Sequence, residues 1–294
     1  MDKLMFFCDA TCDVPADFFE KYKGIIRIIG LRYNLKDKDS SEDLVFDSAV
    51  STDDMKEFYG KMRKGAVSKT SLVTYEQAYE AFEPIFEQGH DVIHFALSSG
   101  LALTYENANK AGMDLAEKYG RKFWAPDTQL AGALCYMVLR RAVEMKNEGL
   151  GFEDIQTQLP VYYEKLNAFF TVESLVYLFR GGRISGAQNL IGSILNIKPI
   201  LELKEGKLVK VGKIAGRMKS IVELAKKLEG MDGKEKFVVV NHADSEADAK
   251  TLRDHILKLQ PAAEVELVNM GVIIGSHTGP GALAVMFADA SKYK

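Results

Sequence analysis

Short apolar runs alternate with helical segments through the first half of the chain, and that alternation narrows the folds open to it. Leu4–Cys8, Ile25–Tyr33, Asp91–Leu97 and Lys122–Ala125 read as strands. Between and after them, Pro15–Tyr22, Met55–Lys64, Tyr75–Gln88, Tyr105–Tyr119 and Gln129–Lys146 read as helices. Pro15 suits a first helical turn, where its missing N–H has no partner to lose. Thr74 and Gln77 have the spacing of a capping box. Parallel strands need a crossover, usually a helix, so the pattern predicts a largely parallel sheet flanked by helices on both faces. Residues 34–52, charged and serine-rich, read as an exposed excursion.

Gly149 and Gly151 interrupt the helical pattern near Glu148–Phe152. With 294 residues, the chain can form two α/β domains, each burying its own core: an N-terminal domain, 1–150, and a C-terminal domain, 151–294. The second domain reads as a mixed-sheet α/β unit. Helices are expected at Glu153–Lys165, Glu173–Phe179, Ser185–Leu195, Met218–Leu228 and Glu246–Leu259, with strands at Asn167–Val172, Lys236–His242 and Glu264–Met270. Lys198–Leu203 and Leu208–Ile214 flank Lys204-Glu-Gly-Lys207, a hairpin signal.

Composition excludes several classes. A net charge of −3 argues against nonspecific nucleic-acid binding as the main activity. No apolar stretch approaches the ~20 residues that span a bilayer. Met1–Asp9 fits a buried first strand better than a signal peptide. Cys8, Cys12 and Cys135 form neither a disulfide framework nor a zinc pattern, which makes the cytoplasm the expected compartment. Phosphate-loop, dinucleotide-turn and nucleophile-elbow motifs are absent. None of the five histidines has metal-ligand spacing. His94 reads as a core histidine.

Chemistry is expected where strands run into helices. Asp9/Thr11, Thr70/Ser71, Ser98/Ser99 and Asp127/Thr128 all stand at such junctions. In a parallel sheet these gather at the carboxyl edge, where ligands bind. Hydroxyls beside free helix N–H groups suit a carboxylate or phosphate; the plainer alternative is that each one caps its own helix. Two glycine-rich segments add to this: Leu178-Phe-Arg-Gly-Gly-Arg-Ile-Ser185, followed by Asn189-Leu-Ile-Gly192 and Ile197-Lys-Pro-Ile-Leu201, and Ile274-Gly-Ser-His-Thr-Gly-Pro-Gly-Ala282. His277, set among glycines in flexible backbone, is the histidine expected to act. Residues 180–219 carry nine basic side chains against two acidic ones. Most would simply solvate a hairpin, but Arg183 and Arg217 each follow glycine and could grip an anion bidentately.

These segments, in this order and spacing, resemble the DegV family of bacterial fatty-acid-binding proteins. The likeness runs from Asp9-Ala-Thr-Cys-Asp13 and Thr70-Ser71 through Ser98-Ser-Gly-Leu-Ala-Leu-Thr-Tyr105 and Asp127-Thr128. It continues through Gly181-Gly-Arg-Ile-Ser185, Ile197-Lys-Pro-Ile-Leu201 and Gly216-Arg217 to His277-Thr-Gly-Pro-Gly-Ala282. It implies two α/β domains, a long-chain fatty acid in a buried tunnel, and no cofactor. It also implies a non-catalytic subunit whose ligand is phosphorylated by a separate ATP-binding fatty acid kinase subunit, with an acyltransferase or a membrane surface as a transient partner. By the same likeness Thr70, Ser71, Ser98, Ser99, Gly100, His277 and Thr278 surround the carboxylate, and Arg183 and Arg217 face the kinase or the phosphoryl group. Ala10 replaces the family's usual serine, Ala102-Leu103 stands for Ser-Gly, and Leu72-Val73 for Gln-Pro. These departures bear on pocket shape and acyl preference.

A tail of about sixteen carbons, at ~0.8 kcal/mol per methylene, contributes roughly 12 kcal/mol gross. Each hydrogen bond to the carboxylate adds ~1.5–3 kcal/mol. The tail would therefore set affinity, and the polar groups would set which end faces out. Two other readings stay open: an enzyme or subunit acting on a small hydroxylated or phosphorylated metabolite, akin to dihydroxyacetone kinase substrate domains, and a docking module with structural lipid.

Overall fold

The computed structural model describes residues 3–36, 44–47, 52–184, 196–229 and 236–289. Clustering of contacts separates two compact units, residues 1–32 with 71–164 and residues 33–70 with 165–294. Tyr33–Thr70 thus groups with the C-terminal residues.

Unit 1 is built on a four-stranded parallel sheet. Its strands are β1 (Leu4–Asp9), β2 (Ile26–Ile29), β6 (Asp91–Phe95) and β7 (Phe123–Trp124), in the order β2-β1-β6-β7. Every residue of β1 and β6 is buried, as in strands covered on both faces. The helices are α1 (Ala16–Tyr22), α3 (Tyr75–Glu87), α4 (Thr104–Tyr119), α5 (Ala133–Asn147), α6 (Phe152–Gln158) and α7 (Pro160–Tyr163). Phe82 of α3 meets Phe7 edge-on at 4.8 Å and His94 at 5.3 Å between ring centroids.

The Thr74 capping box forms: its hydroxyl accepts the Gln77 N–H at 3.2 Å, and the Gln77 side chain accepts the Thr74 N–H at 3.0 Å. Thr74→Ala is expected to lower stability by about 1 kcal/mol in chemical denaturation. A variant as stable as the parent would show that the cap contributes nothing here.

Unit 2 carries two sheets. The larger runs β10 (Lys207–Ala215), β9 (Ile197–Lys204), β8 (Leu166–Thr171), β13 (Leu283–Ala288), β11 (Phe237–His242), β12 (Glu264–Asn269). It is mixed: only β11 and β12 pair in parallel. Glu205 and Gly206 both take positive φ, 50° and 72°, as a two-residue hairpin turn of the primed type requires. Helices α9 (Arg217–Lys226) and α10 (Glu246–Leu259) pack Ile221, Leu224, Leu252 and Ile256 on Val238, Val240, Val285 and Phe287. The short helices are α8 (Val176–Arg180) and α11 (Val272–Thr278). The second sheet joins β4 (Leu44–Asp47), β3 (Arg32–Lys36) and β5 (Val67–Thr70), with α2 (Thr52–Arg63) close to the helix expected at Met55–Lys64; β4 and the end of β3 fall in the segment expected to be an excursion. Tyr59 of α2 fastens it, donating to the Met270 carbonyl at 2.7 Å.

Several expectations change. Ile25–Tyr33 is two strands, β2 and β3, in different sheets. Glu153–Lys165 is two short helices broken at Leu159-Pro160, since proline cannot continue the ladder. The fold does not end at Met270: α11 and the fully buried β13 follow, with β13 in the middle of the larger sheet. Ser185–Leu195, including Asn189–Gly192, lies outside the described residues.

Candidate functional site

Thr70 ends β5, and Ser68, two residues earlier, shares its face. Both meet α11. The Ser68 and Ser276 hydroxyls are 2.7 Å apart, and Thr70 Oγ1 lies 2.8 Å from His277 Nε2. His277 therefore occupies the last turn of a helix rather than flexible backbone. Gly275 permits this helix to sit tight, because a Cβ there would fall 2.0 Å from the Tyr59 hydroxyl.

Gly181, just past α8, supports the other side of the imidazole. A Cβ at Gly181 would lie 2.3 Å from His277 Nδ1, so only glycine allows the chain this close. Burial, aided by the positive charge of Arg183, lowers the His277 pKa to about 4. The ring is neutral at pH 7. Among the described residues its buried Nδ1 has no hydrogen-bond partner. A proton there would be a donor without an acceptor, facing a cationic neighbour, so the proton belongs on Nε2. Nε2–H then donates to Thr70 Oγ1, which leaves the threonine O–H free to donate to an anion.

Arg183 is half-buried and donates to the Gly181 carbonyl. Burial lowers its pKa, yet a guanidinium stays charged in proteins. Among the described residues no carboxylate pairs with it. Arg217 differs. Its guanidinium donates to Asp248 (2.9 Å) and to the Gly281 carbonyl (2.8 Å), and lies 3.4 Å from Glu173, which also holds Lys198. Two carboxylates already surround its charge. Thr278 Oγ1 turns inward to the Ile274 carbonyl at 3.2 Å.

In unit 1, three of the four junctions gather at the carboxyl edge of the parallel sheet. Asp9 accepts from Thr11 N–H, Thr11 hydroxyl and Leu97 N–H. Complete burial pushes its pKa up to about 7, and those donors hold the rise in check. Ser98 is buried and caps its own turn, its hydroxyl accepting the Gly100 N–H at 3.1 Å. The Ser99 hydroxyl donates to Asp127, and Thr128 Oγ1 is buried without a hydrogen-bond partner among the described residues. The fourth junction departs from the expectation, since Thr70 ends a strand of the antiparallel sheet of unit 2. Ser71 belongs to unit 1, where its hydroxyl accepts the Arg32 N–H at 2.9 Å. Leu103 precedes α4 and is 60% exposed.

Sequence reasoning missed Asp127 as the acceptor of Ser99 and Gly181 as the seat of His277. The Asp127-Thr128 junction and the paired glycines were the available signals. Cys8, Cys12 and Cys135 are free and buried. No described helix is long and apolar enough to cross a membrane, and no metal-binding cluster occurs among the described residues.

The model of a family of uncharacterised proteins, the DegV family, matches residues 3–290. A DegV domain-containing protein of Clostridium perfringens is 34% identical, covering 99% of each chain. One from Listeria innocua is 30% identical, over 98% of this chain and 99% of its own. Among solved structures, a DegV lipid binding protein from Thermotoga maritima superposes with a TM-score of 0.83 at 28% identity, covering 98% of this chain and 99% of its own. DegV, a fatty acid binding protein from Bacillus subtilis, gives 0.80 at 26% identity, over 98% and 100%.

Proposed function

We propose, since the chain belongs to the DegV family, that it binds a long-chain fatty acid and presents the carboxyl group to a separate ATP-dependent kinase subunit. The observation that carries this reading is the Thr70–His277 pair, 2.8 Å apart, with an imidazole kept neutral by burial. A neutral Nε2–H that donates to Thr70 Oγ1 fixes the direction of the relay: the hydroxyl proton points away from histidine, toward an acceptor. A fatty acid carboxylate is such an acceptor, and the fatty acids bound by relatives support that choice.

Arg183, without a carboxylate partner among the described residues, is the cation proposed to meet the phosphoryl group. In the proposed reaction a carboxylate oxygen attacks the γ-phosphorus of ATP held by the partner. The bond to the β,γ-bridging oxygen breaks, ADP leaves, and acyl phosphate remains. This chain's part is positional: it shields the tail and fixes the reacting end. Arg217, already enclosed by Asp248 and Glu173, is assigned to holding the α9–α10 corner together.

The test is direct. Solvent extraction of purified protein followed by mass spectrometry is expected to release one long-chain acid per chain. Absence of any such acid, together with no uptake of added oleate or palmitate, would refute lipid binding. Acyl phosphate formed with a fatty acid kinase and ATP is trapped by hydroxylamine as the hydroxamate. A lipid-loaded protein that yields none would refute the presentation step alone.

A further inference from the structure

The carboxyl ends of parallel neighbours in an α/β sheet leave room for ligands between their loops. In unit 2 that place is beyond β11 and β12, where a cavity of about 300 Å³ is lined by His242, Asp244, Asn269, Tyr59, Met55 and Leu267. It lies at the lower end of the ~300–1,000 Å³ range of small-molecule sites. None of its residues belongs to the Thr70–His277 pair.

His242, the last residue of β11, is 5% exposed. Its Nδ1 accepts the Ser245 N–H at 3.3 Å, so the ring proton sits on Nε2. That Nε2 has no hydrogen-bond partner among the described residues. Burial lowers the His242 pKa, in keeping with a neutral donor. The atom is not closed off from solvent, so water can serve this donor until a ligand acceptor takes its place.

The charges around the cavity are balanced before any ligand arrives. The Asp244 carboxylate is bound by Arg63, which also donates to the Asp244 carbonyl at 2.8 Å. Glu246 holds Lys250 at 2.7 Å, and Lys56 lies 3.5 Å from Asp53. With each of these charges already paired, an ion has no free counter-charge to meet. Selection must come from hydrogen bonds and packing. Asn269 is exposed and offers an acceptor and a donor side by side. Met55, Leu267 and Met270 form a polarizable wall suited to a flat ring. Tyr59 keeps that wall in place through its bond to the Met270 carbonyl.

We propose that this cavity binds an uncharged heterocycle of nucleoside size. An acceptor atom of the ligand takes the His242 Nε2–H, its amide-like edge pairs with Asn269, and its ring packs on the methionine wall. Adenosine is the probe, titrated into the purified chain by calorimetry and by the NMR signals of the His242 ring. One saturable site is expected, with His242 shifting on binding and inorganic phosphate failing to compete. Asn269→Ala, a change at an exposed residue, is expected to weaken adenosine about tenfold, while fatty acid content stays at the parent level. His242→Phe is expected to abolish the site. No saturable binding of adenosine overturns the proposal, as does binding that both variants leave unchanged. Displacement by phosphate would overturn it too, by showing an anion site.

Discussion

Thr70→Val is expected to weaken fatty acid binding roughly 10–100-fold while leaving the fold intact, because it removes a hydroxyl and keeps the shape. One hydrogen bond to a charged acceptor contributes about 1.5–3 kcal/mol. Valine also leaves His277 Nε2–H without its acceptor, a cost of about 1–3 kcal/mol that falls on the stability of the fold with or without lipid. Thr70→Ser restores the oxygen and is expected to recover most of the affinity. Fluorescent fatty acid displacement gives the affinity, and thermal melting without lipid checks that β5 still pairs with β3. A valine variant that binds and delivers its acid like the parent would remove Thr70 from the head-group site. The tail energy does not depend on this hydroxyl. Residual binding by the valine variant is therefore expected, with the carboxyl end mispositioned and hydroxamate formation falling further than affinity.

How much of this could be read from the chain varies with the physical signal. β1 and β6 announced themselves as short apolar runs feeding acidic and hydroxyl residues, and the Lys204–Lys207 turn as Glu-Gly between alternating strands. The capping box at Thr74 is a purely local pattern, and it formed. β13 was missed because Leu283-Ala-Val-Met-Phe-Ala288 is apolar throughout. A strand buried on both faces has no alternation to betray it. α11 was missed because glycine and β-branched residues disfavour helix locally. What stabilises it is tertiary: Tyr59 against Gly275, and Ser68 and Thr70 along one side. Grouping of Tyr33–Thr70 with the C-terminal residues is likewise long-range. Tyr59 reaches Met270, and Arg63 reaches Asp244, across sequence separations that no window of residues can sense. Thr70 stood out as a junction hydroxyl and His277 as a histidine among glycines, but no local pattern joins residues 207 positions apart, and their pairing is a fact of the fold.

Acid is expected to destabilise the protein through His94, and His94→Leu is expected to remove that loss. His94 lies fully buried in β6; among the described residues neither ring nitrogen makes a well-formed hydrogen bond, and an interaction with the Phe7 backbone offsets only part of the effect of burial. Burial lowers its pKa from 6.5 to about 4. As pH falls below 6.5 the unfolded chain takes a proton that the folded chain refuses until about pH 4. Stability present above pH 6.5 is therefore lost between those values. A shift of this size corresponds to about 3 kcal/mol. His277, also lowered to about 4, acts in the same direction. Asp9 opposes them: raised from 3.8 to about 7, it takes up a proton in the folded state first, so acidification from pH 7 towards 4 favours folding at that site. The profile of the parent protein thus mixes opposite contributions, and the difference between parent and His94→Leu isolates the histidine. Leucine gives up only the interaction with the Phe7 backbone and fits an apolar site beside Phe82. At pH 7.5 the variant should be at least as stable as the parent, and its advantage should grow by about 3 kcal/mol as pH approaches 4. Urea denaturation across that range measures the difference. Parallel stability curves for the two proteins would mean that His94 is protonated as readily in the fold as outside it, and that burial is not what governs its charge.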